Sequence, residues 1–397
     1  MKKYIYMAVA AIAALSSCTP DGSIATKATF EKDGDAATGS TFSAYYPADL
    51  YDGTTATLPA TQDYEAGKIS NLPMYAESTD HNLTFKNLCG VLAITVNSSD
   101  FSSVNSIEVK SDKQMNGAFT ASADGTLAFT SKTLEAADKM VTLNFASAKT
   151  ISSSETFYIA VPANAAHNFI IKVTGNSKTK AMATKAASGI NVERNTIYSI
   201  TFSENAIQLW ADGPYFATCN LGATNPGDYG NYYAWGETTT KSTYNWSTYT
   251  LCSGSETTMT KYCTNSSYGT VDNKTVLESG DDAATANWGN NWRMPTGDEL
   301  VNGTNCLYKM SSTWTAQNSH NGRQFTGSNG NSIFLPATGY YHDSALDGQN
   351  EYCYYWSSSL NLSNTRQAYR LNFDNESVTI GGLSRYHGFP IRPVLSE

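Results

Sequence analysis

All seven tryptophans of this 397-residue chain lie after residue 205: Trp210, Trp235, Trp246, Trp288, Trp292, Trp314 and Trp356. A chain of this length has room for two or three domains, and so sharp a shift in composition marks a boundary between two of them, near Ser203-Glu204-Asn205-Ala206. The half without tryptophan alternates apolar and polar residues in "VLAITV" (91–96), "SIEVK" (106–110), "VTLNF" (141–145), "TFYIAVPA" (156–163), "FIIKV" (169–173) and "TIYSITF" (196–202). A period of two is the signature of strands with one buried face. No helical period competes over a long window, so a β-sandwich is expected.

Only 15% of the residues are charged against 41% hydrophobic, and the remaining polarity comes from Ser, Thr, Asn and Gly. That balance favours β structure with many turns. The net charge is −9, with no run of Lys or Arg. A nucleic-acid footprint is excluded on that ground, as is electrostatic attachment to anionic lipid.

The N-terminus carries Lys2 and Lys3 and then the apolar run "YIYMAVAAIAAL", too short to span a bilayer. Leu15-Ser16-Ser17-Cys18 follows and resembles a bacterial lipobox. The resemblance implies a signal peptide over 1–17, Cys18 as the lipidated first residue of the mature chain, and a tether over 18–40. Acyl chains would then hold the protein to the membrane, with the outer membrane and the cell surface as the expected location. An ordinary secretory leader with a chance cysteine is the alternative. Six further cysteines remain: Cys89, Cys219, Cys252, Cys263, Cys306 and Cys353. Export permits disulfides, but spacing does not give connectivity, and buried thiols are the other outcome. No C-x-x-C occurs, which argues against zinc ribbons and thioredoxin chemistry.

The blocks "LPMYAESTDHNLTFKNLCGVLAITV", "VNSIEVKSDKQMNGAFTASADG" and "FYIAVPANA" resemble the fimbrillin-like family of Bacteroidetes, over roughly residues 27–203. The resemblance implies a transthyretin-like β-sandwich over 41–205 and a role at the surface or in a pilus, with pilus subunits as partners by strand exchange. The chain departs from the family's arginine cleavage pattern. Arg194 is the sole arginine before the boundary, and Lys27 and Lys32 are the basic residues of the tether. A second domain follows, which suits a pilus tip better than a repeating stem.

The second half is rich in tyrosine and broken by Gly and Asn. "NSIFLPATGYY", "EYCYYWSSSL" and "AYRLNF" read as strands. The stretch "NWGNNWRMPTGDEL" (287–300) concentrates two tryptophans, an arginine and a proline. Thr296 and Glu299 stand at the spacing of a capping box, predicting a helix that places Leu300, Cys306 and Leu307 on one face. A second short helix is expected to start at Asp281. Trp292 offers bulk, Met294 fills irregular space, and Arg293 can pair with a carboxylate while packing its stem. The stretch is therefore expected to be framework. "WADGPYFATCNLGATNPGDYGNYYAWGET", "LESGDDAATANWGNNWRMPTGDEL", "NSIFLPATGYY", "YYWSSS" and "RYHGFPIRPV" together resemble the Fibrobacter succinogenes major paralogous domain family. The resemblance implies an α+β C-type-lectin-like domain over 206–397, related to the formylglycine-generating-enzyme-like group, with binding in the loops between the blocks.

Catalytic patterns are sparse. The five histidines, His81, His167, His320, His342 and His387, match no metal-ligand spacing, and neither G-x-S-x-G nor a P-loop is present. Asp281-Asp282 is a carboxylate pair but reads as a helix start. Cys306 and Cys353 lack the surroundings of the formylglycine-generating active site, and the calcium-binding triplets of sugar-binding C-type lectins are missing. No enzyme, cofactor or metal is expected. Aromatic side chains in loops suit recognition at low entropic cost. The candidate ligand residues are Tyr341, His342 and Asp343 in "GYYHDSALDGQNEY" (339–352), and Tyr386 and His387 in "LSRYHGF" (383–389). Half-buried strand residues are the alternative reading of these tyrosines.

The expectation is thus a mostly β, lipid-anchored surface adhesin or ligand-binding protein that recognises a host or microbial glycan or protein. A structural lipoprotein contacting another envelope component is the alternative.

Overall fold

The computed structural model describes residues 41–396, apart from 53, 67, 68, 70, 71, 80–82 and 164, together with the dipeptide 3–4. Cys18, the tether and His81 lie outside the described residues. Strands dominate, and helix is confined to short pieces. No helix among the described residues is long and apolar enough to cross a membrane. The chain divides into two compact units, Met1–Met182 with Ser188–Ser203, and Ala183–Ala187 with Glu204–Glu397.

The first unit contains a β-sandwich. Its strands are β1 (Cys89–Asn97), β2 (Ser103–Ser111), β3 (Met140–Thr150), β4 (Ser154–Pro162), β5 (Phe169–Gly175) and β6 (Ile197–Thr201). β1 lies between β4, antiparallel, and β6, parallel. In the other layer β2 lies between β3 and β5, both antiparallel. Every second residue points inward. Leu92, Ile94, Val96, Phe157, Ile159 and Val161 of one layer meet Ile107, Val109, Leu143, Phe145, Ile171 and Val173 of the other. Each such side chain stabilises the fold by roughly 1.5–3 kcal/mol through burial. β1 is covered on its outer face as well, where Cys89 and Val91 pack with Tyr51, Leu58, Leu72 and Phe119. Burial on both faces explains why Cys89 through Ile94 reads as a continuous apolar run.

The second unit is built on β7 (Tyr215–Ala217), α1 (Ala283–Trp288), β8 (Trp292–Arg293), β9 (Ser311–Gln317), β10 (His320–Thr326), β11 (Ser332–Pro336), β12 (Thr338–His342), β13 (Ala345–Gln349), β14 (Cys353–Leu360), β15 (Gln367–Phe373), β16 (Val378–Ser384) and β17 (Val394–Leu395). β9, β10 and β11 form a meander, and five strands run in the order β13-β12-β14-β15-β16. Leu209, Phe216, Leu300, Leu307, Phe325, Leu335, Tyr355, Leu371, Phe373 and Val394 form the core. The region from Cys219 to Asp282 is mostly turns, so its backbone needs side-chain partners. Trp235 Nε1 donates to the Ser357 carbonyl (2.8 Å), Trp356 Nε1 to that of Tyr233 (3.0 Å), and the Tyr249 hydroxyl to that of Trp235 (2.7 Å).

Two local expectations are corrected. Residues 339–352 form a hairpin rather than a loop: β12 and β13 pair from Thr338 opposite Gln349 to His342 opposite Ala345, around a turn in which Asp343 has φ of 48°. An aspartate tolerates that left-handed conformation. The helix predicted from Thr296 onward is a single turn, Asp298–Asn302, followed by a separate one at Leu307–Lys309. The break is at Gly303, where a Cβ would lie 2.2 Å from the Asp298 carbonyl oxygen. Leu300, Cys306 and Leu307 are buried all the same.

Candidate ligand-binding surface

The stretch 287–300 is a framework corner. Asp282 caps α1, accepting from the backbone N–H groups of Ala284 (2.9 Å) and Thr285 (3.0 Å), and its other oxygen accepts from Met294 N (2.8 Å). The helix thus begins at Ala283, two residues later than expected. Arg293 grips Glu299 through both terminal nitrogens at 2.6 Å. The capping box forms in both directions, with Thr296 N donating to Glu299 (2.8 Å) and Glu299 N to Thr296 Oγ1 (3.2 Å). Trp288 and Trp292 pack edge to face, with centroids 5.2 Å apart. Burial disfavours the Glu299 carboxylate, but Arg293 and the Thr296 N–H outweigh it and hold the acid below its usual range. A cavity of about 640 Å³ opens beside this corner, between Trp210, Asp212, Arg293, Asp298 and Asn302.

Four of the five candidate ligand residues, His342, Asp343, Tyr386 and His387, come together. Tyr341 and His342 end β12, Asp343 opens the turn after it, and Tyr386 and His387 follow β16. The backbones of Tyr341 and Gly388 pair at 2.9 and 3.0 Å, which joins the two segments. His342 lies 5.3 Å from His387 and 5.9 Å from Tyr386, measured between ring centres. Tyr386 stacks on His387 at 4.2 Å and meets Trp246 edge-on at 4.9 Å. Tyr341 turns to the other side of the hairpin, stacking on Tyr244 (5.4 Å) and meeting Tyr232 edge-on (4.9 Å). There it lines a groove of about 500 Å³ with Asn231, Tyr232, Lys241, Tyr244 and Ser344.

Exposure separates the roles. His342 and Asp343 are exposed, with 46% and 54% of their side chains accessible, whereas Tyr341 and Tyr386 are half-buried and His387 is buried. Tyr341 and Tyr386 therefore belong partly to the packing and partly to the surface. Burial pushes the His387 imidazole down to about 4, aided by His342 and Arg370 and opposed by its bond to the Ser384 carbonyl and by Asp343. His387 is a neutral ring in the fold and serves as a platform for Tyr386. Burial, followed by the Asp343 charge, raises the Tyr386 phenol. Lys241 in the groove is neutralised by Glu237 at 2.8 Å.

The other described histidines do structural work. His167 is fully buried, with Nδ1 2.8 Å from Ser111 Oγ, and His320 Nδ1 lies 2.8 Å from the Gly227 carbonyl oxygen. Asp281 binds Lys261 and the Tyr262 hydroxyl. All six described cysteines are buried and unbonded to one another. Among the described residues, no three His, Cys, Asp or Glu side chains gather in a group that could hold a metal ion.

Sequence reasoning missed several neighbours of the cluster. Trp246 and Tyr244 sit in an irregular segment with no period to follow. Tyr340 and Tyr354 face the cluster from β12 and β14: Tyr340 lies 5.6 Å from His387 and 5.0 Å from Tyr354. The alternation rule separates Tyr340 from Tyr341 once their strand is recognised, and that was the available signal.

No family profile matches the chain. No curated protein matches it either. Among solved structures, it has a likeness to a Bacteroides ovatus protein named provisionally for cell adhesion, at 18% identity and a TM-score of 0.30, covering 45% of this chain and 69% of the other. A fimbrial protein from Bacteroides ovatus aligns at 10% identity and a TM-score of 0.16, covering 86% of this chain and 79% of the other.

Proposed function

We propose that this chain is a non-catalytic, lipid-anchored surface protein that captures a glycan or protein ligand through the aromatic surface of its second unit, as an adhesin or at the tip of a pilus. The observation that carries the reading is the convergence of His342, Asp343, Tyr386 and His387, from two segments of the chain, onto one partly exposed patch, with Tyr341 lining a groove on the other side of the same hairpin. Half-exposed rings held by their neighbours bind at low entropic cost, since their rotamers are already fixed. Among the described residues neither His342 nor His387 is hydrogen-bonded to a hydroxyl or thiol, so the patch presents no paired nucleophile and base. Attachment through Cys18 rests on the lipobox.

The test is binding of the full chain to immobilised glycans and matrix proteins, with and without Ca²⁺. Saturable binding that falls when Tyr341 or Tyr386 becomes Ala supports the proposal. Failure to bind anything on either panel shifts the assignment to a structural lipoprotein, and a pull-down from the envelope then identifies its partner.

A further inference from the structure

One row of side chains crosses the five-stranded sheet. Asp347 of β13 is opposite Tyr340 of β12, and Gly339 opposite Cys353 sets Tyr340 beside Tyr354 of β14. Tyr354 is opposite Asn372 of β15, which is opposite Thr379 of β16. Residues paired in this way project from the same face. Thr379 Oγ1 donates to Asn372 Oδ1 (2.6 Å), and Arg370 Nη1 donates to the same oxygen. The Arg370 guanidinium lies over the Tyr354 ring, 4.5 Å from its centre.

Arg370 is unlike the other arginines of this unit. Arg293 and Arg366 pair with Glu299 and Glu256. Arg323, Arg385 and Arg392 donate to backbone carbonyls. Among the described residues Arg370 has neither a carboxylate nor a backbone carbonyl partner, its one acceptor being the Asn372 side-chain amide, and its Nε is buried with no acceptor. Burial of this guanidinium is strong enough to lower its affinity for its proton. A half-buried cation left without a counter-charge gains more from an incoming anion than a fully exposed one does. Access is open: Gly381 stands opposite Arg370, and a Cβ there would meet only Arg370 Nη2, at 3.9 Å. The acid of the row, Asp347, is three strands away, roughly 14 Å at the usual strand spacing, and Asp343 is engaged by Asn245.

We infer that the sheet face carrying Tyr340, Tyr354, Asn372 and Arg370 is a subsite for a carboxylate-bearing sugar, with the Arg370 guanidinium taking the carboxylate. The inference rests on the reading of the aromatic patch as a ligand surface, to which it is joined through Tyr340 and His387. A planar guanidinium suits a carboxylate. Arg370 and Phe389 cover Tyr354, which leaves the half-exposed Tyr340 ring to meet the C–H face of a pyranose, while the Asn372 amide and the Thr379 hydroxyl, next in the row beyond Tyr354, suit its hydroxyl groups. An acidic peptide would instead call for a strand-length edge with pockets at alternate positions.

The test uses the full chain and three probes: a trisaccharide ending in glucuronate, the same trisaccharide ending in glucose, and poly-glutamate. Calorimetry is expected to show the glucuronate sugar bound about 10- to 100-fold tighter than its neutral twin, the range of a charge-assisted hydrogen bond. Arg370→Gln should abolish most of that gap, and Arg370→Lys, which keeps the charge, should restore part of it. Equal affinity for the two sugars, a gap that survives Arg370→Gln, or tighter binding of poly-glutamate overturns the inference and leaves the wider ligand surface standing. If neither sugar binds, the subsite is wrong, and the surface itself stands or falls on the glycan and matrix-protein panel.

Discussion

Asn245 donates its side-chain N–H to the Asp343 carboxylate at 2.8 Å, and at the same point the backbones of Tyr244 and Asp343 exchange hydrogen bonds of 2.8 and 2.9 Å. Residues 98 positions apart are thereby fixed to one another, and the tip of the β12–β13 hairpin is held against the segment that supplies Tyr244 and Trp246. Asp343 occupies the left-handed region, at φ of 48°. Asp343→Ala removes the bond and puts a Cβ-bearing residue without a local acceptor into that conformation. It should cost about 1–2 kcal/mol in urea unfolding. Asp343→Asn keeps both an acceptor and a tolerance for positive φ, and should cost less than about 0.5 kcal/mol. Equal costs for the two substitutions would show that the turn does not depend on this side chain.

His387 gives the fold a predictable response to acid. Its folded value, about 4, lies below the usual value of 6.5, so the unfolded chain binds the proton more readily. Stability is fully present above about 6.5 and is lost as pH falls through 4, by on the order of 3 kcal/mol. Thermal unfolding followed from pH 7 to pH 4 should show the decline, and His387→Gln should flatten it. A decline that is unchanged in the variant would place its source elsewhere.

Arg293 and Glu299 hold the framework corner, and their side chains are 32% and 19% accessible. Removing one partner leaves the other charge half-buried, so Arg293→Ala should cost about 2–3 kcal/mol. Glu299 has a depressed value, so its contribution is present above the ordinary glutamate range and is lost as pH falls through its folded value. Variant chain that remains folded should bind ligand as the wild type does. A fall in affinity without a fall in stability would move the corner into the binding site.

The six described cysteines are buried thiols rather than disulfides. Alkylation in denaturant without reductant should therefore modify Cys89, Cys219, Cys252, Cys263, Cys306 and Cys353 alike, as read by mass spectrometry of the peptides. Two cysteines protected until a reductant is added would reveal a bridge.

The first half was legible because one face of each long strand meets the core. The alternation in "VTLNF" and "FIIKV" falls within β3 and β5, and each of the six quoted stretches lies in or directly extends a strand. The capping box at Thr296 and Glu299 was legible for the same local reason. The hairpin over 338–349 was legible only in its first arm, which "NSIFLPATGYY" covers; Asp343 and Gly348 hid the second, since both read as loop residues and each occupies a positive φ beside or within a strand. The candidate residues were found by type, as aromatics next to histidine. Their convergence depends on the pairing of Tyr341 with Gly388, which no local pattern encodes. Arg370 was invisible for a deeper reason: what distinguishes it is the lack of a carboxylate in its surroundings, a property of tertiary structure alone.

The most direct test of the central claim is the affinity of wild-type chain and Tyr386→Ala for whichever ligand the glycan and matrix-protein panel retains, measured alongside the thermal midpoint of each. Tyr386 stacks on His387 and meets Trp246 edge-on at the edge of the patch. The account predicts a loss of affinity of about 10-fold or more, typical of an aromatic anchor, with a midpoint lowered by only a few degrees. Unchanged affinity in a folded variant would contradict it and remove the aromatic patch as the ligand surface.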